Sequence, residues 1–137
     1  MYKKIMVPVD LRHTDKLEKA VATAADLALH YKAPVQMVAV TGSAPTSVAH
    51  NPEEFQARLS EFAAAQAGKF GIEIGAHAIV SPDPAIDLDD KLGREAHDIG
   101  ADLIVMASHV PGFAEHIFSS NAGYLASHSD ISVFIVR

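Results

Sequence analysis

Short, wholly apolar runs alternate with helical stripes along this chain, and that alternation limits its fold more than any other feature. Ile5-Met6-Val7-Pro8-Val9 runs unbroken to Asp10. A strand that is apolar at every position is buried on both faces, as strands of parallel sheets are. From Thr14 to Tyr31 the apolar residues Leu17, Ala20, Val21, Ala24, Leu27, Ala28 and Tyr31 recur at three and four, which predicts a helix. Asp15 and Glu18 stand in its first turn, where the helix dipole favours acids. Val35 to Val40 reads as a second strand and Thr41 to His50 as a loop placed where it could cover a site.

The pattern continues with clear start and stop signals. Asn51-Pro52-Glu53-Glu54 combines a capping side chain, a proline at the first helical position and two acids. Phe55, Leu59, Phe62 and Ala63 supply the buried stripe, and Gly68 and Gly71 mark the end. Ile72 to Val80 predicts a third strand, with Gly75 as a bulge. Asp83-Pro84 opens a helix with Leu88, Leu92, Ala96 and Ile99 on one face, and Gly100 stops it. Leu103 to Met106 and Val133 to Val136 are the last two strands. Between them Ser119-Ser120-Asn121-Ala122 opens a short helix. The order β-α-β-α-β-α-β-α-β implies an α/β fold: a single doubly wound, parallel five-stranded sheet with helices on both faces, as one domain over residues 1–137.

Bulk numbers exclude several classes. The 137 residues are enough for one real core. Eleven basic residues against seventeen acidic ones give a formal charge of −6 without a basic stripe, so nucleic acid is not an expected partner. The absence of cysteine removes disulfide frameworks, thiolate metal sites and cysteine catalysis. No run approaches the ~18–20 apolar residues that cross a bilayer. The first residues are too short in apolar length for a signal peptide. The expected location is therefore cytoplasmic. The eight histidines show no metal-ligand spacing, and no carboxylate–histidine pair stands on an evident helix face. The histidines other than His109 read as surface or helix-face residues, and Met6, Met37 and Met106 read as core.

Ligands of open α/β sheets bind beyond the carboxyl ends of the strands, where strand order reverses. The candidates are Asp10 after the first strand, Val40 and Thr41 after the second, and Ala107, Ser108 and His109 after the fourth. The start of the last helix adds free N–H groups and a positive dipole end, which together suit a phosphate. The chain has no G-x-x-x-x-G-K-[ST], no G-x-G-x-x-G and no G-x-S-x-G, so the common phosphate, dinucleotide and hydrolase motifs do not apply.

The residues Ile5–Asp10, Asp83-Pro84, Gly100–Met106 and Ser132–Arg137, in this order and at this length, resemble the universal stress protein family over essentially the whole chain. The resemblance implies a parallel sheet of order 3-2-1-4-5, dimers paired through the last strand, and in many members ATP binding. Against the family's G-x2-G-x9-G-[ST] loop, Ala107, Val110 and Ser119 stand at or near the three glycines. The stretch Ala107-Ser108-His109-x-Pro111, followed by Ser120-Asn121-Ala122, is similar to a subgroup that keeps nucleotide binding. The resemblance implies that Asp10 and the main chain of Val40 flank adenine and ribose. Ala107, Ser108 and His109 would line ribose and phosphates, and Ser119, Ser120 and Asn121 would hold the phosphate tail. Pro8, Val9 and Met106 complete the expected lining. The ligand so implied is ATP, with or without Mg²⁺, or else AMP or ADP. No dedicated general base or catalytic lysine is evident, so any hydrolysis would be slow. An apolar last strand at a sheet edge also calls for a partner on physical grounds, which predicts a homodimer through Ser132 to Val136. The competing expectation is a nucleotide-free dimerisation or adaptor module of the same fold.

Overall fold

The computed structural model describes residues 1–108 and 123–137, the side chains of residues 85–87 excepted. Five strands, β1 (Ile5–Pro8), β2 (Val35–Thr41), β3 (Ile74–Val80), β4 (Leu103–Ala107) and β5 (Ser132–Val136), form one parallel sheet of order β3-β2-β1-β4-β5. The helices are α1 (Glu18–Tyr31), α2 (Pro52–Phe70) and α3 (Pro84–Asp98), with a further helical stretch over residues 123–128. The doubly wound sheet expected from the alternation is therefore the fold.

Period-two side-chain alternation sorts the strand residues into two cores. Ile5, Val7, Val35, Met37, Leu103 and Val105 pack with α1 and α2 residues such as Val21, Ala24, Phe55 and Leu59. Met6, Val38, Ile104 and Met106 face the opposite way, onto Leu92 and Ala96 of α3 and onto Leu125. Met6, Met37 and Met106 are fully buried, as their apolar runs predict. The Gly100–Met106 segment is tied to the start of the chain by Asp102, whose carboxylate accepts hydrogen bonds from the N–H groups of Lys3 and Lys4 at 2.9–3.1 Å.

Several local expectations are corrected. β1 stops at Pro8 rather than Asp10, because Asp10 turns the chain into a 3-10 helix over Leu11–Leu17, kinked at His13, before α1 begins at Glu18. Gly68 lies inside α2, and Gly71, at φ +66°, is the residue that ends it. That left-handed angle is cheap only for glycine. Gly75 makes no bulge, since β2 and β3 pair in unbroken register from Val35–Ile74 to Thr41–Val80. Its missing side chain instead leaves room for the Gln36 amide, into whose Oε1 a Cβ would run. Asn51 caps α2 as expected, its Oδ1 accepting from the Glu54 N–H at 2.8 Å.

β3 and β5 are the outer strands, and they differ. On β3, the Gln56 side chain of α2 donates to the Ala76 carbonyl at 3.2 Å and accepts from the Ala78 N–H at 2.7 Å. On β5, Phe134 and Ile135 are exposed.

Candidate functional site

Beyond the carboxyl ends of β1 and β2 the chain encloses a cavity of about 300 Å³. Val38 and Ala39 of β2 and Leu92 of α3 contribute buried apolar surface to its lining. Thr46 and Val48 wall it on one side, from the loop that the sequence placed over the site. This loop is a tied turn: the Thr46 N–H donates to the Ala49 carbonyl at 2.8 Å, and the N–H groups of Val48 and Ala49 donate back to Thr46 Oγ1 at 3.2 and 3.3 Å. Asp83 and Pro84, at the start of α3, complete the rim.

The charged feature of the cavity is an aspartate–arginine fork. Asp10 is buried, and its Oδ1 accepts from both the backbone N–H and Nε of Arg12 at 3.0 Å, while its Oδ2 accepts from the Arg12 Nη2 at 2.9 Å. Two parallel charge-assisted bonds fix the guanidinium plane. Burial works to raise the Asp10 carboxyl pKa, but the hydrogen bonds and charge of Arg12 together outweigh it and hold it below the ordinary carboxylate range. The same contact raises Arg12 above its usual value.

Five of the expected site residues, Pro8, Val9, Asp10, Val40 and Thr41, come together in this cavity. Met106, Ala107 and Ser108 do not line it. Met106 packs in the α3-side core, Ala107 is buried in β4, and the Ser108 N–H donates to the Val136 carbonyl at 2.9 Å. His109, Ser119, Ser120 and Asn121 lie outside the described residues.

Sequence reasoning missed Arg12, Phe55 and Asp83 as lining residues, while Thr46 belongs to the loop it placed over the site. Only Arg12 had a local signal, its position two residues beyond a carboxylate that ends a buried strand. Histidine–carboxylate pairs do form between elements: His77 of β3 with Glu95 of α3, and His97 of α3 with Asp130 at 3.1 Å. They join residues distant in sequence, which a search along one helix face does not find. Among the described residues no group of three His, Asp or Glu could hold a metal, and no helix is long and apolar enough to cross a membrane.

A model of the universal stress protein family matches residues 1–137. The chain belongs to the universal stress protein family. It is 27% identical over 143 residues to universal stress protein G of Shigella flexneri, each covered in full. Its fold is similar to that of a universal stress protein solved in complex with cAMP, at a TM-score of 0.72 and 22% identity, covering 99% of this chain and 97% of that one. It is likewise similar to the universal stress protein of Archaeoglobus fulgidus in complex with dAMP, at a TM-score of 0.71 and 22% identity, covering 99% and 98%. The sheet order inferred from the family resemblance is the order found here.

Proposed function

We propose that this family member binds an adenine nucleotide in the β1–β2 cavity and acts as a dimeric regulatory protein of the stress response, with ATP as the ligand. The observation that carries this reading is the cavity itself: an apolar slot at the carboxyl edge of the sheet, with an aspartate–arginine fork at its rim. Such a combination suits a flat base joined to polar and anionic groups. Similar folds holding cAMP and dAMP support the ligand class. In this reading Pro8, Val9, Asp10 and Val40 flank adenine and ribose. The chain beyond β4, with Ser108, His109, Ser119, Ser120 and Asn121, serves the phosphates, as the family resemblance implies. The dimer forms through β5, whose Phe134 and Ile135 are exposed on a strand paired on one side only.

One observation favours the second reading, a nucleotide-free dimerisation module. The Asp10 carboxylate already accepts three hydrogen bonds from Arg12. A single experiment decides between the two. Freshly purified protein is denatured and the supernatant analysed for adenine nucleotide, and the protein is titrated with MgATP by calorimetry. Stoichiometric nucleotide or a saturating heat is the expected result. Neither bound nucleotide nor heat at millimolar ATP would leave the dimerisation module.

A further inference from the structure

We propose that Thr46 is a positioning residue of the cavity: its hydroxyl clasps the loop after β2 so that Val48 stands as a fixed wall of the slot, and this clasp sets how tightly a nucleotide is held. This inference rests on the adenine-nucleotide reading of the cavity and adds the residue that shapes its wall.

The loop has few other ties. Residues 43–47 are exposed and Val48 is half-buried. Among the described residues, Thr46 is the only one of residues 42–49 whose side chain makes a hydrogen bond. Its Oγ1 accepts from the N–H groups of Val48 and Ala49 at 3.2 and 3.3 Å, and its own N–H donates to the Ala49 carbonyl at 2.8 Å. A hydroxyl bonded to the main chain two and three residues on closes a turn without help from helix or sheet.

The turn directs its apolar residues inward. Ala49 is buried in the core shared with α1 and α2, and Val48 packs against that core while it lines the cavity. A segment with so few buried contacts opens locally at low cost. Each opening takes Val48 from the slot and admits water to an apolar site. Affinity is then scaled by the fraction of molecules in which the loop is closed, and the Thr46 hydroxyl governs that fraction. Val48 makes the contact and Thr46 places it. In the same reading base and ribose lie in this slot and the phosphates at the chain beyond β4. The effect should therefore be the same whatever the number of phosphates.

The test is a set of calorimetric titrations with AMP and with ATP of the wild-type protein, Thr46→Val, Thr46→Ser, Val48→Ala and Thr46→Val/Val48→Ala. Thr46→Val keeps the shape and removes the acceptor. It should weaken AMP and ATP by the same factor, about five- to thirtyfold, the population change that two such hydrogen bonds support. Thr46→Ser keeps the hydroxyl and should stay within about twofold of wild type. Once Val48 is alanine, Thr46→Val should add less than about twofold, because the residue it places has gone. If Thr46→Val does not fold, Thr46→Ala, with no branched side chain to crowd the turn, takes its place in both backgrounds. Unchanged affinity in the Thr46 variant overturns the inference and leaves the nucleotide site standing. So does a loss that is equally large in the Val48→Ala background, or one that differs between AMP and ATP. A wild-type protein silent to both nucleotides overturns the site reading and this inference with it.

Discussion

Gln56 of α2 accepts a 2.7 Å hydrogen bond from the backbone N–H of Ala78 in β3 and donates to the carbonyl of Ala76, two residues earlier. A side-chain amide thus stands where the peptide group of another strand would stand. An outer strand with unpaired backbone groups is a template for association, and this contact occupies part of that template. Replacing Gln56 by Ala removes two hydrogen bonds and should lower stability by about 1–3 kcal/mol, read from urea unfolding. It should also bring concentration-dependent association, seen by sedimentation, beyond any oligomer the wild type forms.

The opposite border gives the second prediction. Phe134 and Ile135 are exposed, and among the described residues β5 pairs only with β4. In Phe134→Lys/Ile135→Lys, charges on the proposed dimer strand should convert a dimer into a monomer in sedimentation velocity. Helix content by circular dichroism should stay unchanged, because neither side chain belongs to the cores. A wild type that sediments as a monomer would remove the dimer.

A pH dependence follows from Asp10. Its folded pKa lies below the ordinary aspartate value of 3.8. A depressed carboxylate contributes stability that is present above its unfolded pKa and lost as pH falls through the folded one. Asp10→Asn should therefore be less stable than wild type at pH 7, by about 1–2 kcal/mol given a partner that is partly exposed and screened. The gap should close as pH falls below 3.8. A gap that stays constant down to pH values where aspartate is protonated would contradict the pairing.

Two glycines should respond differently to alanine. Gly71→Ala places a side chain at φ +66° and should cost about 1–2 kcal/mol, measured by thermal or urea unfolding. Gly75→Ala meets only the flexible end of Gln36 and has no left-handed angle to strain it. The gain in strand propensity offsets the displacement of that amide, so the change should stay within about 0.5 kcal/mol.

Much of the fold was legible because its determinants are local. The all-apolar runs Ile5–Val9 and Leu103–Met106 could only be doubly covered strands, and Asn51-Pro52 and Gly71 mark helix ends in their own chemistry. The candidate cavity was legible where it hangs on strand ends, as with Asp10 and Val40, and in the loop after β2. Phe55 and Asp83 enter the cavity only because α2 and the start of α3 are brought together beside the strand ends. No period or motif in a single segment carries that information. The Gly75 expectation failed for a related reason: the room its missing side chain leaves is taken by Gln36 on the neighbouring strand, not by a bulge in its own segment.

Val38 and Leu92 are among the most deeply buried side chains of the protein, and they also line the cavity. A guest in that slot would touch the same atoms that hold α3 to the sheet. Occupancy and folding then become one linked equilibrium: at a hundredfold excess over Kd, a guest excluded from the unfolded chain adds about 2.7 kcal/mol to the unfolding free energy. A melting curve would in that case serve as a gauge of cargo, and the amount of intact protein surviving a heat challenge would track the concentration of its own ligand.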